Sequence, residues 1–175
     1  MSNILIGVTG GIAVYKIPYL CRKFVLEGHN VKVIMTENAA KFVTPLTFES
    51  ITRNRVYNDD YEVGAEPESI DHIDLGKWAD FMIVAPATAN ILAKFAYGIA
   101  DNLLSSTYLA FEKGKTIFVA PAMNTNMYLN EATIQNIDIL KKRGIKFIDP
   151  VEGELACRDK GIGKMREPEE IFETV

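Results

Sequence analysis

Short apolar segments alternate with helical patterns along this sequence, and this alternation limits the possible folds more than any other feature. An apolar run at Asn3–Val8, a helical pattern at Ile12–Glu27 and a second run at Val31–Met35 predict a parallel, right-handed strand–helix–strand unit. Further buried strands are predicted at Asp80–Ala85, Thr116–Ala120 and Ile145–Ile148. The pattern therefore predicts an α/β fold, an open doubly wound parallel sheet with helices on both faces, in the manner of a Rossmann or flavodoxin-like three-layer sandwich.

The segments between the predicted strands divide into helices and loops. Pro18 is expected near the first turns of the helix that starts at Ile12, since proline disrupts a helix interior. Two stretches without periodicity, Asn54–Asp71 and Asp149–Arg166, predict loops, and His72–Ala79 leads into the third strand. The remaining helices are predicted at Ala39–Val43, Pro45–Thr52, about Asp101–Glu112, from Asn130 or Thr133 to Arg143, and at Glu167–Val175.

Length and composition fit a single domain at residues 1–175, with 48% apolar and 24% charged residues. The net charge of −4, without a cluster of basic residues, argues against a nucleic-acid partner. The first residues lack a basic segment ahead of an apolar one, and no apolar run approaches the roughly 18 residues of a membrane span. We therefore expect no membrane segment and a cytoplasmic location.

The stretch Val84–Leu104 holds the clearest junction between a strand and a helix. The strand is expected to end at Pro86, where small residues form a turn, Ala87–Asn90, before a helical pattern begins. An ordinary strand–helix turn would look the same. Three other strand ends are also rich in small or polar residues, however, at Thr9–Gly11, Thr36 and Pro121–Asn124. Because the carboxyl ends of parallel strands meet at one edge of the sheet, these junctions together predict a binding site.

The junction after the first strand favours a ligand with one phosphate. Gly10 and Gly11 let a ligand approach the backbone at a helix start, with Thr9 and Thr36 as further donors. The fingerprint of dinucleotide-binding proteins is incomplete, because Val14 stands at its third glycine and no acidic residue ends the second strand. A phosphate-binding loop of the NTPase type is absent as well. A mononucleotide-like ligand is therefore the better match.

A few residues could carry chemistry. His72 could act as a general base, although a solvated surface histidine is an equal alternative, whereas His29 fits a solvated helix end. Cys157 lies in a glycine-rich loop beside an arginine, which suits a reactive thiol or a proton donor, whereas Cys21 is expected in the core. Since no cluster of histidine, cysteine and acidic residues has metal-ligand spacing, no metal is predicted.

Several of these segments match a known family in the same order along nearly the whole chain. The sequence resembles the homo-oligomeric flavin-containing cysteine decarboxylases, and a PxMNxxM segment followed by a distal cysteine loop is the specific part of the match. The matching segments are GVTGGIAVYK at Gly7–Lys16, His72–Leu75 ahead of Trp78–Asp80, PATAN with Gly98–Leu104, Pro121–Asn124 with Met127, and Leu155–Cys157 with Gly161–Met165.

The resemblance implies that the cofactor is FMN, in agreement with the incomplete dinucleotide fingerprint. It also implies a base at His72, a hydrogen bond from Asn124 to the carboxylate end of the substrate's cysteine, and a proton donor at Cys157. The implied substrate-binding residues are Asn124, Met127, Ala156 and Lys164. The expected cofactor-binding residues are Thr9, Gly10, Gly11, Ile12, Thr36, Phe42, Pro86, Ala87, Thr88, Ala89 and Asn90.

The implied reaction has a physical logic. Direct loss of CO₂ from an amide-linked cysteine would leave an unstabilised carbanion, whereas oxidation of the thiol to a thioaldehyde by FMN provides an electron sink. Decarboxylases that return a saturated thiol use a loop cysteine as proton donor, and those that act on peptides stop at the enethiol. Cys157 therefore favours the first kind, which converts 4'-phosphopantothenoylcysteine to 4'-phosphopantetheine in coenzyme A biosynthesis.

Other functions remain open on the sequence alone. A peptidyl-cysteine decarboxylase and a non-catalytic flavin-binding regulatory subunit are alternatives within the family. A flavin prenyltransferase and an electron-transfer flavoprotein are alternatives outside it. The joint presence of His72, Asn124 and Cys157 argues against the last three. The resemblance also implies a homotrimer or a dodecamer of trimers, and fusion to or partnership with a phosphopantothenate–cysteine ligase.

Overall fold

The computed structural model describes residues 1–59, 71–154 and 160–175, and a parallel sheet of six strands forms its centre. The strand order is β3-β2-β1-β4-β5-β6, so the predicted open doubly wound sheet is confirmed. The strands are added toward one edge of the sheet from β1 to β3 and toward the other edge from β4 to β6. This change occurs between β1 and β4, which are parallel neighbours in the sheet. The strands are β1 (Asn3–Val8), β2 (Asn30–Met35), β3 (Val56–Tyr57), β4 (Phe81–Ala87), β5 (Thr116–Pro121) and β6 (Lys146–Phe147).

Helices cover both faces of this sheet, and the alternation of side chains along β1 shows why. Ile4, Ile6 and Val8 belong to one apolar core, whereas Leu5 points into the other. Helices α1, α3 and α9 pack together on the first side, and α4, α5, α6 and α8 on the second. The helices are α1 (Ile17–Leu26), α2 (Glu37–Ala40), α3 (Pro45–Thr52), α4 (Asp71–Trp78), α5 (Ala89–Tyr97), α6 (Leu103–Ala110), α7 (Thr125–Tyr128), α8 (Glu131–Lys142) and α9 (Pro168–Thr174).

The first predicted helix is divided in the structure. Ile12–Lys16 forms a 3₁₀ helix, and the α-helix starts at Ile17, where Pro18 occupies the first turn. Proline is tolerated there because the first amides of a helix have no partner within it. The bend turns Lys16 inward, and this residue is only 7% exposed.

The strand at the opening junction is longer than predicted. β4 continues past Ala85 through Pro86 to Ala87, with a shift of register between Val84 and Ala87, where the ladder does not need the missing proline amide. Helix α5 then starts at Ala89, so the predicted turn is really a strand end, a helix cap at Thr88 and a first helical turn.

Both predicted loops contain regular structure. The first includes strand β3, and His72 lies on helix α4 rather than in a lead-in segment. The second includes an antiparallel hairpin of β7 (Val151–Glu154) and β8 (Lys160–Lys164). In the ranges that the structure covers, no helix is long and apolar enough to cross a membrane, and no group of three histidine, cysteine or acidic residues could hold a metal ion.

Candidate functional site

The ends of β1 and β4 are joined by one threonine at the point where the strand order reverses. The Thr9 hydroxyl donates a hydrogen bond to the carbonyl oxygen of Pro86 at 2.6 Å and accepts one from the Thr88 amide at 3.1 Å. Thr9 is only 2% exposed. Its hydroxyl proton is thereby used within the protein, and the residue fixes the spacing of the two strand ends where α/β folds bind ligands.

A cavity of about 760 Å³ opens beside these strand ends. One wall is the loop Gly10–Gly11 with the 3₁₀ helix, and the opposite wall is the junction after β5 together with strand β8. A Cβ added at Gly11 would meet nothing within 4 Å, whereas one at Gly10 would overlap Asn38. Gly10 is thus needed for close packing against α2, and Gly11 leaves its backbone open toward the cavity.

A smaller and more polar pocket of about 340 Å³ adjoins the cavity, because Gly10 and Thr88 line both. Its wall includes Thr36, Asn90 and Asn102. Three helices start here, each with a side-chain cap, and the first amide of α6, on Leu103, donates to the Asp59 carboxylate in the pocket wall. A ligand with an anionic end and a broad end would find matching surroundings in the two adjoining pockets.

The structure brings most of the predicted site residues together. The large cavity is lined by Gly10, Gly11, Ile12, Thr88, Ala89, Asn124, Met127 and Lys164. The small pocket is lined by Thr9, Gly10, Thr36, Thr88 and Asn90. Pro86 and Ala87 are buried at the strand end behind Thr88. Whether these residues contact a ligand stays a prediction.

Besides the buried Pro86 and Ala87, two more described residues of the predicted site, Phe42 and His72, line neither pocket within one chain. Phe42 follows α2 and is 50% exposed. His72 is half-buried in the first turn of α4, which packs against α6. Cys157 and Ala156 lie outside the described residues.

The side chain of Asn124 organises the junction after β5. Its carbonyl oxygen accepts a hydrogen bond from the Asn126 amide at 2.8 Å, which caps the short helix α7. The next contact ties this junction to the hairpin, since the Met123 amide donates to the Gly163 carbonyl oxygen at 3.1 Å. Strand β8 is therefore fixed against the same loop that presents Asn124.

Sequence reasoning missed the main cation of the cavity. Lys16 lines its wall, and its ammonium group lies 2.7 Å from the Glu167 carboxylate, which also pairs with Lys164 at 3.2 Å. The helical pattern at Ile12–Glu27 gave no reason to single out Lys16. The one hint in the sequence was a helical pattern that begins directly after two glycines. A tighter helical turn at such a start changes which of the following residues face inward.

The pairing with the two lysines lowers the pKa of the Glu167 carboxyl group. The hydrogen bond from Lys16 is the main reason that the pKa of the Glu167 carboxyl lies below its ordinary value of 4.5, and Lys164 acts in the same direction. Since the folded state holds the carboxylate more firmly than the unfolded state, the group stabilises the fold above about pH 4.5. That stabilisation is lost as the pH falls through the lowered pKa.

We therefore expect a pH-dependent difference between the natural protein and the variant Glu167→Gln. The melting temperature of the natural protein should fall more steeply than that of the variant as the pH falls below about 4.5, because the variant has no charge to lose at this position. Thermal unfolding at a series of pH values measures the difference. Parallel curves would show that the lysine pairing does not contribute to stability.

The comparisons with known proteins agree with this geometry. The Flavoprotein family matches residues 1–175. The coenzyme A biosynthesis bifunctional protein CoaBC of Bacillus subtilis is 50% identical over 97% of this chain and 41% of its own length, so the chain spans about two fifths of that relative. The probable phosphopantothenoylcysteine decarboxylase of Streptococcus mutans is 42% identical over 99% of this chain and 97% of its own.

Solved structures show the same fold. A mutant PPC decarboxylase complexed with pantothenoylaminoethenethiol has a TM-score of 0.89 and 34% identity, with 99% of this chain and 95% of that chain covered. The FMN binding protein AtHal3 has a TM-score of 0.86 and 35% identity over 99% and 94% of the two chains. The resemblance seen in the sequence is confirmed, and this chain belongs to the Flavoprotein family.

Proposed function

We propose that residues 1–175 act as a single flavoprotein domain that binds FMN and decarboxylates 4'-phosphopantothenoylcysteine to 4'-phosphopantetheine in coenzyme A biosynthesis. The observation that carries the proposal is the pair of adjoining pockets, one wide and one polar, that meet at Gly10 and Thr88. The Streptococcus mutans relative, named a probable phosphopantothenoylcysteine decarboxylase, supports this function, as does the likeness to PPC decarboxylase.

The residues present fit FMN. The small pocket offers helix starts at Thr36 and Thr88 for a single phosphate, and the large cavity has room for a flavin ring beside the open backbone at Gly11. Strand β2 ends at Met35 followed by the helix cap Thr36, so the strand end itself carries no acid of the kind that binds the second ribose of a dinucleotide, although Glu37 and Asp59 line the small pocket further out, beside Lys94. A mononucleotide suits this site better than NAD.

The side chains of the chain would hold the substrate and move its protons. Bound FMN would supply a two-electron oxidation of the substrate thiol to a thioaldehyde able to accept the electron pair released with CO₂, and the reduced cofactor would later return the two electrons taken from the thiol. Asn124 would bind the substrate carboxylate through its amide group, while its carbonyl oxygen accepts from the Asn126 amide. His72 serves as the base, and Cys157 returns a proton to the product.

Assembly of several chains would complete the site. In one chain His72 and Phe42 line neither pocket. In the homotrimer or dodecamer of trimers that the resemblance implies, a neighbouring chain would supply both residues. The bifunctional relatives also support a fused or partner phosphopantothenate–cysteine ligase, and these relatives are more than twice as long as this chain. The cytoplasmic location stays a prediction.

The proposed function is tested by colour and by product mass. Protein reconstituted with FMN should show flavin absorbance bands, and 4'-phosphopantothenoylcysteine should lose the mass of CO₂ to give the saturated thiol. A cysteine-terminated peptide serves as the comparison substrate. Loss of CO₂ from the peptide alone, or an enethiol as the only product, would favour a peptidyl-cysteine decarboxylase, and colourless, inactive protein would contradict the proposal.

A further inference from the structure

A charged cluster on the wall of the large cavity has no substrate group assigned to it above, although the resemblance implies that Lys164, one of its members, binds the substrate. It consists of Lys16, Lys164 and Glu167, and we call it the lysine cluster. The two ammonium groups lie 2.7 and 3.2 Å from the same carboxylate. Both lysines line the cavity, and the carboxylate stands behind them, at the cap of α9.

The charges of this cluster do not balance. Two positive groups share one negative group, which leaves one net positive charge on the cavity wall. The Lys16 side chain is only 9% exposed, so water compensates little of its charge. An anionic ligand in the cavity would supply the missing partner and could take hydrogen bonds from both ammonium groups.

The carboxylate on the cavity wall lies at the other end of the hairpin. Among the described lining residues this is Glu154, which is exposed and lies opposite Lys160 in the register of the hairpin. Lys160 is four residues along β8 from Lys164, a distance of roughly 13 Å in a strand. Within the described part of the chain, no ion pair joins Glu154 to Lys16 or Lys164, whose shared carboxylate partner is Glu167.

We infer that the lysine cluster is the subsite for the substrate's phosphate, with Lys16 and Lys164 as ligands and Glu167 as the residue that positions both. The inference rests on the proposed function. A phosphate carries up to two charges and three acceptor oxygens, so it can engage two ammonium groups at once. Neither lysine lines the small pocket, where the cofactor phosphate has its own donors.

The cluster joins the two walls of the cavity. Lys16 belongs to the wall after β1, whereas Lys164 lies on β8, in the same wall as Asn124. With its carboxylate at Asn124 and its phosphate between Lys16 and Lys164, the substrate would be held at both ends within the cavity. Such a site would select the phosphorylated substrate over pantothenoylcysteine, which is identical except for the phosphate.

The test compares both substrates in steady-state kinetics. In Lys164→Gln, kcat/KM for the phosphorylated substrate should fall about ten- to hundredfold through KM, the loss expected for one hydrogen bond to a charged group. The value for pantothenoylcysteine should fall at least about five times less, because this substrate has no phosphate for Lys164 to bind. Lys164→Arg should retain part of the preference, and Lys160→Gln, on the same strand but outside the cavity lining, should behave like the natural protein.

A second measurement is independent of turnover. Calorimetric titration with 4'-phosphopantetheine and with pantetheine should show tighter binding of the phosphorylated compound, and Lys16→Gln and Lys164→Gln should each reduce the difference. The dissociation constant of FMN, read from flavin fluorescence, should not change. Equal losses for both compounds, or weakened FMN binding with the phosphate preference intact, would overturn the inference. If the protein binds phosphate as expected but releases no CO₂, only the proposed function fails.

Discussion

Replacing His72 with asparagine is expected to lower the rate of CO₂ release by roughly 10²–10⁴-fold while FMN stays bound, the range typical of a lost general base. Asparagine keeps the size and polarity of the side chain but cannot accept and release a proton near neutral pH. The half-buried position in the first turn of α4 tolerates this exchange. Single-turnover CO₂ release and flavin absorbance measure the two effects in one sample.

The other histidine provides the matched control. His29 accepts a hydrogen bond from the Ser2 amide at 3.3 Å and packs edge-on against Phe24, next to α1 and outside both pockets. His29→Asn should therefore leave CO₂ release unchanged. Equal rates for the natural protein and His72→Asn would remove His72 from the mechanism.

Mixing variants tests where His72 acts. Within one chain His72 does not line the cavity that holds Asn124. If a neighbouring chain supplies the histidine, inactive His72→Asn and Asn124→Asp proteins, refolded together, should regain part of the activity in mixed assemblies. Regained activity is impossible for a site built from one chain, because each chain would then carry a defective site.

The central strands of the sheet could be predicted because they are buried on both faces, whereas the short edge strand β3 lies in a stretch predicted to be a loop. Asn3–Val8 is predicted to the residue, since an unbroken apolar run bounded by Gly10 and Gly11 has no other simple solution. The end of β4 could not be predicted, because proline normally ends a strand. The hairpin β7–β8 was not predicted, because its strands, VEGE and KGIGK, lack the apolar alternation of a buried strand. A backbone hydrogen bond from Met123, which no sequence pattern reveals, holds it against the sheet.

The part of the candidate site that small and polar residues form at the strand ends could be predicted. The part that depends on contacts between residues far apart in the sequence was missed. Glycines and threonines at strand ends mark a binding edge directly in the sequence. Lys16 depends on a bend in its own helix and on Glu167, which is 151 residues away along the chain. No local pattern connects residues that far apart, and neither partner is unusual for a solvated helix.

Gly163→Ala is expected to have the largest effect on stability. Gly163 has a φ of +138°, which a side chain strongly disfavours, and an added Cβ would overlap the carbonyl oxygen of Met123. A clash with backbone cannot be relieved by rotating a side chain, so the free energy of unfolding should fall by about 2 kcal/mol or more. For a domain of this length, the melting temperature should drop by roughly 4–8 °C.

The hairpin offers its own control for this prediction. An added Cβ at Gly153 would lie 3.1 Å from the Cδ atom of the flexible Lys164 side chain, so Gly153→Ala should cost about 0.5 kcal/mol or less. Hydrogen exchange separates local from global effects, because the Met123 amide donates to Gly163. Faster hydrogen exchange of the Met123 amide in Gly163→Ala, with core amides still protected, would mean that the hairpin no longer contacts the Asn124 junction. Equal melting temperatures for the two variants would show that contact between β8 and this junction does not hold the cavity wall in place.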